Sequence, residues 1–306
     1  MDKNNKSHIF LFNFGVLPLF IYFLFFCILS YPLIFKFSTH LFTDLGDGLQ
    51  NIWNIWWVNK SITELHQLPW YTNYLHYPYG VSLLGHTLNP FNGFLATFLL
   101  KFLTFVQTHN FIVIFSFVVA GLTAFLLAYN FTKSYLPSII AGFIFTFSNY
   151  HFVHLNIGHL QLISLEWLPL FVLCWYRLIN KPCISLSIIS ALILFLVILC
   201  DYYYFFYSVL IALFIFLWFG IQSKDLLYFF KKKYLRFLLV FIFISLLTSG
   251  SLAISLILLN KKDPLLGSHP SWLYSTDLLA PFIPGAHWRF AQWTKFYWSN
   301  LGYGMD

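Results

Sequence analysis

Seven continuous apolar runs divide this sequence, at 9–35, 110–131, 136–155, 161–179, 183–200, 202–221 and 237–259. A helix that crosses a bilayer needs about 20 apolar residues, since each adds only ~1.5 Å against a hydrocarbon layer ~30 Å thick. Lipid offers no water to a free N–H or C=O, so only helices and closed barrels can span it. Barrel strands would alternate polar and apolar side chains over about ten residues. These runs do not alternate. The expectation is therefore all-α, a polytopic transmembrane helix bundle of about seven spans. Only 9% of the residues are charged, against about 25% in an ordinary soluble domain, too few to cover a water-facing surface.

Charge placement sets the expected topology. The formal charge of +7 forms no basic stripe on a soluble domain, so it predicts no nucleic-acid partner. Cations of membrane proteins collect in cytoplasmic loops. An eighth apolar run, 89–106, opens Asn89-Pro90-Phe91-Asn92-Gly93 and contains Lys101. If it does not cross and the N-terminus is cytoplasmic, then Lys3, Lys6, Lys133, Arg177, Lys181 and the Lys224–Arg236 cluster all face the cytoplasm. If it crosses, all but the first two move outside. The first arrangement is expected: a cell-membrane protein with a cytoplasmic N-terminus. Its large external loop, 37–109, carries an amphipathic helix and a re-entrant helix. Further spans fill 110–259, and a second external segment, 260–306, is expected to be incomplete because it ends in mid-loop. The first run is too long for a signal-peptide core and no small-x-small site follows it, so it is read as a retained span. Cys27, Cys174, Cys183 and Cys200 lie in or beside apolar runs and read as small hydrophobes.

Polar chemistry concentrates in the two places where the spans end outside. In Thr43–Trp57, Asp47, Gln50, Asn51 and Asn54 follow i, i+3, i+4, i+7 spacing and share one helix face. Trp53, Trp56 and Trp57 share another, suited to the headgroup layer, so this helix is expected to lie on the membrane surface. Asp47 with Gln50 reads equally as a capping box, and Asp44 as a turn partner of Gly46. The second place is Asn149–Gln161, with His151, His154 and His159, followed by Glu166. The histidines lack a carboxylate or cysteine set at zinc-type spacing. They read as hydrogen-bond donors to a ligand's phosphate or hydroxyls, or as caps of helix ends. Glu166, about one turn into a span, is expected to face the bundle interior. Asp201, ahead of Tyr202-Tyr203-Tyr204, is a weaker candidate. In the last loop, Lys261, Lys262, Asp277, His287, Arg289 and Lys295 offer charge, and a cation there would suit a lipid-linked phosphate. Polar groups at span ends, with few in mid-span, favour surface chemistry over transport.

A first span followed at once by a loop with Asp44 and Asp47 and then an interfacial helix resembles the GT-C superfamily. These are multi-pass glycosyltransferases that use polyprenyl-phosphate-linked sugars, among them protein mannosyltransferases and oligosaccharyltransferase catalytic subunits. Tyr77-Pro78-Tyr79-Gly80 through His86, Asn89 and Pro90 is similar to a pattern of uncharacterised bacterial members. So are Gly158-His159-Leu160-Gln161, Glu166-Trp167-Leu168-Pro169 and Ser275-Thr276-Asp277-Leu278-Leu279 through Pro284 and Leu301-Gly302-Tyr303. The resemblance implies a membrane glycosyltransferase that moves a sugar to an acceptor hydroxyl of unknown identity. Asp47 matches the acid that acts on the acceptor, with Asp44 second. Gln50, Asn54, Trp53, His154, His159, Gln161, Glu166 and Arg289 are then candidate substrate-binding residues. Many members carry a second acid where this chain has His154, His159 and Gln161, which leaves a carboxylate-bound Mg²⁺ or Mn²⁺ open. Relatives continue with further spans, so a truncated copy is expected. The rival expectation is a non-catalytic multi-pass protein: a lipid carrier, a transporter or an inactive fragment of a glycosyltransferase.

Overall fold

The computed structural model describes residues 11–223, 231–262, 278, 279, 282–284 and 288–299, without the side chains of 232, 233 and 298. It divides into two units, Met1–Ile257 and Leu258–Asp306. Lys3, Lys6, Lys224, Ser275–Asp277, His287 and Leu301–Tyr303, all named above, lie outside the described residues.

The first unit is built almost wholly of helices. They are α1 (Phe12–Leu29), α2 (Gly46–Thr63), α3 (Pro90–Leu99), α4 (Phe105–Thr132), α5 (Tyr135–Thr146) and α6 (Asn149–Ile157). Then follow α7 (Leu168–Asn180), α8 (Ile184–Cys200), α9 (Tyr202–Gln222), α10 (Lys232–Ser245) and α11 (Ser251–Lys262), the last two joined through a π-helical turn. Five stretches are long and apolar enough to cross a membrane: Phe12–Leu29, Phe105–Thr132, Tyr135–Ile157, Tyr202–Gln222 and Tyr234–Lys262. The other two expected spans fall on shorter helices, α7 with 13 residues and α8 with 17. Thirteen residues reach only ~20 Å. The run 161–179 reads as a span because Ile163 and Leu165, buried in the non-helical segment ahead of α7, are as apolar as one.

Helix α4 is the central post. It starts at Phe105, five residues before the expected 110, because Thr104 and Gln107 form a capping box. The Gln107 N–H donates to Thr104 Oγ1 at 3.3 Å and the Thr104 N–H to Gln107 Oε1 at 3.0 Å. Lys133, in the left-handed region, ends it. Near its middle α4 crosses α1 and α5 closely. A Cβ on Gly142 would stand 2.1 Å from Tyr22 Oη and 2.6 Å from the Gly121 carbonyl. Small residues at such a crossing let backbones approach where lipid supplies no hydrophobic push. Tyr22 is fully buried there and donates its hydroxyl to the Ile139 carbonyl at 3.0 Å.

The long segment ahead of α4 holds α2, a two-stranded antiparallel ribbon (β1, Tyr71–Thr72; β2, Val81–Ser82) and α3. With ten residues α3 spans about 15 Å, half the hydrocarbon thickness. Asn110, on α4, fastens the start of this segment: its side-chain amide donates to the carbonyls of Phe37 and His40 and accepts from the Phe42 N–H. Of the three tryptophans of α2, Trp57 packs inside the protein, while Trp53 and Trp56 are partly exposed. Trp57 is fully buried with Val58, Leu83 and Leu88, stacks on Trp53 at 6.1 Å, and donates its indole N–H to the Pro69 carbonyl at 3.0 Å. Its indole supports the loop from beneath. Leu83 and Leu88 supply the apolar surface that buries Trp57 and Val58.

Candidate functional site

Asp47, His154 and His159 meet at the start of α2. The expected capping box is absent: Leu45 is the N-cap, without a side-chain cap, and Asp47 stands in the first turn. Gln50 instead donates its amide to Thr87 Oγ1 at 2.8 Å. The partner of Asp47 comes from far along the chain. His159 Nε2 lies 2.8 Å from Asp47 Oδ2. An ionised carboxylate only accepts, so Nε2 carries the proton and donates. The second nitrogen of His159, Nδ1, faces His154 Nδ1 at 2.9 Å. Two facing ring nitrogens share one proton. With His159 neutral, His154 Nδ1–H is the donor and the imidazoles form a chain that ends on Asp47. Asp47 Oδ1 has no hydrogen-bond partner among the described residues, and the side chain is 52% exposed.

Glycines make this meeting possible. Gly158 has φ +94°, and a Cβ on it would stand 2.3 Å from the Gly48 nitrogen. A Cβ on Gly48 would in turn meet Thr43 Cγ2 at 2.6 Å. Three segments are thus pressed together at the start of α2: 43–45, α2 itself and the turn after α6. Asp44 sits in the first of them. Its N–H donates to the Asn156 carbonyl at 3.0 Å and its Oδ1 accepts from the Leu45 N–H at 2.7 Å. It secures the turn through the Leu45 N–H, where the sequence offers Gly46 as its partner.

A ladder of amides holds the rest. Asn51 donates to the Gly158 carbonyl at 2.6 Å and to the Asp47 carbonyl at 3.0 Å. Asn54 donates to the Thr87 carbonyl at 2.9 Å, which fixes its Oδ1 as an acceptor; His86 Nε2, 3.0 Å away, is therefore the donor. Burial lowers the His86 pKa, which favours this neutral donor form. Both asparagines are 2% exposed. Asn54, expected to bind substrate, is a buried strut between α2 and the 86–87 turn. Sequence spacing put Asn51 and Asn54 on the right face, but His86 and Thr87 as their partners escaped it. The only signal was a polar His86-Thr87 pair within a long apolar-aromatic loop.

The segment 158–167 is tied down on its other side. Asn89 caps α3, accepting from the Asn92 N–H at 3.1 Å, and both Asn89 and Asn92 donate to Ser164 Oγ, at 3.1 and 2.9 Å. Gln161 is nearly buried and its Oε1 has no partner among the described residues. Glu166 is fully buried, as expected of a residue turned from lipid. Its Oε2 has no partner among the described residues, and Cys200 Sγ lies 4.0 Å from Oε1. Burial pushes its carboxyl up to about 8, so it is protonated at neutral pH. Gln161 and Glu166 thus face the interior, apart from Asp47. Asp201, half-buried, caps α9 by accepting from the N–H groups of Tyr203 and Tyr204. Burial raises its pKa to about 6. Trp53 belongs to the indole stack. In the second unit Arg289 places its guanidinium 5.7 Å from the centre of the Phe290 ring, and Thr294 donates to the Pro284 carbonyl at 2.9 Å.

The residues at Asp47 do not fit a carboxylate-bound Mg²⁺ or Mn²⁺. The two imidazoles face each other too closely to admit an ion between them, and no group of three or more His, Cys, Asp or Glu is placed to hold a metal among the described residues. What the corner can do is accept a proton: an open carboxylate oxygen on a rigid helix start, its other oxygen held by an oriented imidazole. Compared with family models, curated proteins and solved structures, the chain matches none.

Proposed function

We propose that this is a membrane glycosyltransferase that moves a sugar from a polyprenyl-phosphate carrier to an acceptor hydroxyl at the external face. The observation that carries the reading is the Asp47–His159 pair, 2.8 Å long, with Asp47 Oδ1 free among the described residues. A hydroxyl beside Oδ1 gives up its proton to the carboxylate as its oxygen bonds to the sugar's anomeric carbon. The bond from that carbon to the phosphate oxygen breaks, and its electron pair leaves with the polyprenyl phosphate. Attack opposite the leaving group inverts the anomeric centre. His159 holds Asp47 in place, and His154 holds His159. Asp47 stands in the first turn of α2, where a helix start presents N–H groups without an intrahelical partner. Resemblance of the first loop to GT-C enzymes and the expected cytoplasmic N-terminus support the same assignment.

The test uses the purified full chain in detergent with radiolabelled polyprenyl-phosphate sugars and membrane extract as acceptor source. Transfer should fall about 10²–10⁴-fold in Asp47→Asn, the usual range for a lost general base. Full transfer by Asp47→Asn sinks the assignment. Uptake of a solute into vesicles that contain only this protein, with no transfer, would support the rival transporter reading.

A further inference from the structure

The far end of α4 carries a second feature of the first unit. A cavity of about 380 Å³ opens between the ends of α4 and α7 and the start of α8, lined by Asn130, Lys133, Tyr176, Arg177, Lys181 and Leu186 among others. Three of these are cations. Among the described residues no carboxylate lies within ion-pair distance of any of them, since the ion pairs found are Lys60–Glu64 and His159–Asp47. The arrangement is partly fixed. Arg177 Nε donates to Asn130 Oδ1 at 3.1 Å, which holds the guanidinium while its terminal nitrogens have no described acceptor. Tyr176 is braced against Phe131 and Phe219, at 4.7 and 5.6 Å between ring centres, and with Leu186 gives the cavity an apolar wall.

Position along α4 selects the ligand. Asn110 ties one end of α4 to the Phe37–Phe42 turn that leads into the Asp47 corner. Lys133 lies 23 residues further along, ~35 Å at the helical rise, which is the thickness of a bilayer's hydrocarbon core plus one headgroup edge. The cavity therefore lies at headgroup depth on the face opposite Asp47. A fork of unpaired guanidinium nitrogens with two ammonium groups suits a phosphodiester, and an apolar wall beside it suits the first methylenes of acyl chains. We propose that this cavity binds the headgroup phosphate of an anionic glycerophospholipid in the cytoplasmic leaflet. It is independent of the glycosyltransferase reading and rests on the bundle sitting in a bilayer with the expected cytoplasmic N-terminus.

Native mass spectrometry of the full chain titrated with dioleoylphosphatidylglycerol or dioleoylphosphatidylcholine tests it. The anionic lipid should bind about tenfold more tightly. Arg177→Gln with Lys181→Gln should erase that preference, each cation near an anionic headgroup being worth about fivefold. Lys36→Gln with Lys101→Gln, cations of the segment that precedes α4, should leave it intact. Lys133→Gln, on a turn between helices, gives a second reading if the double variant melts early; it should lower the preference about fivefold. Equal binding of the two lipids overturns the proposal, as does an unchanged preference in both the Arg177/Lys181 and the Lys133 variants. Millimolar inorganic phosphate should compete poorly; if it displaces the lipid fully, the site reads free phosphate and the lipid assignment fails.

Discussion

Asp47 and Glu166 are two carboxyl groups in opposite circumstances. Asp47 stands on the first turn of α2, half exposed, with one oxygen accepting from His159 and the other open. Glu166 is fully buried, with Oε2 unpartnered among the described residues and a pKa pushed up to about 8 by burial. A carboxylate that receives a substrate proton must be reachable and must be ionised beforehand. Burial defeats both conditions at Glu166, whereas Asp47 is reachable, with half its side chain exposed and one oxygen held by His159. Sequence order hides this contrast, since both acids sit beside a glycine or a tryptophan at a span end.

The largest effect should separate the two acids outright. Asp47→Asn is expected to abolish the proposed transfer by about 10²–10⁴-fold, whereas Glu166→Gln, which keeps the shape and the neutral state, should leave it within about threefold. Equal losses in both variants would dissolve the contrast. His159→Gln should cost less than Asp47→Asn, about tenfold, because it removes the group that aims the carboxylate and not the carboxylate itself.

Next in size is Gly158→Ala. At φ +94° a side chain is strained, and a Cβ 2.3 Å from the Gly48 nitrogen forces the turn away from α2. The backbone term alone costs about 1–2 kcal/mol and the clash adds to it. The Asp47–His159 contact should break, with transfer lost nearly as in Asp47→Asn and a lower melting temperature. An unchanged melting temperature would show that the turn has slack. Gly46→Ala is the control: nothing lies within 4 Å of the position of its Cβ.

Glu166 makes a pH prediction whose sign is fixed. Its folded pKa is raised from 4.5 to about 8, so between those values the folded state holds a proton that the unfolded chain releases. Stability should therefore fall as pH rises through this window, by at most ~1.4 kcal/mol per pH unit. Below 4.5 the contribution is level. Glu166→Gln should remove the slope, so that the variant outlasts the parent chain at pH 8 and matches it at pH 4.5. Melting curves in detergent at the two pH values decide it, and identical slopes would mean that water or another group reaches Glu166.

Much of this was legible beforehand. Apolar runs located the long helices, because hydropathy over 20 residues has few meanings. The polar face of α2 was legible from its spacing. Hydropathy does not tell a buried loop from a span, so the run that opens at Gln161 takes in Ile163 and Leu165, ahead of a helix that begins at Leu168. Nor could spacing show which polar residues meet across the chain. Asp47 with Gln50 fits a capping box, yet His159 and Thr87, 112 and 37 positions away in sequence, claim the two side chains. Interfaces favour tryptophan, so spacing treats Trp53, Trp56 and Trp57 alike; the burial of Trp57 needs Leu83 and Leu88 from a turn that no local pattern announces.

The smallest expected effect bears on Gln50, named from sequence as a substrate ligand and found bonded to Thr87 Oγ1 at 2.8 Å. Both side chains are exposed, so the bond competes with water and is worth about 0.5 kcal/mol at the low end of its kind. If Gln50 only braces the 86–87 turn, Gln50→Ala and Thr87→Ala should each lower stability by that amount and change transfer less than about twofold. Their double variant should then cost no more than either alone, since one bond is lost in all three. If Gln50 turns from Thr87 to a sugar hydroxyl in the reacting complex, Gln50→Ala should raise KM while Thr87→Ala, which frees the amide, lowers it. Opposite signs in the two single variants would move Gln50 from the frame of the Asp47 corner to its substrate-facing side.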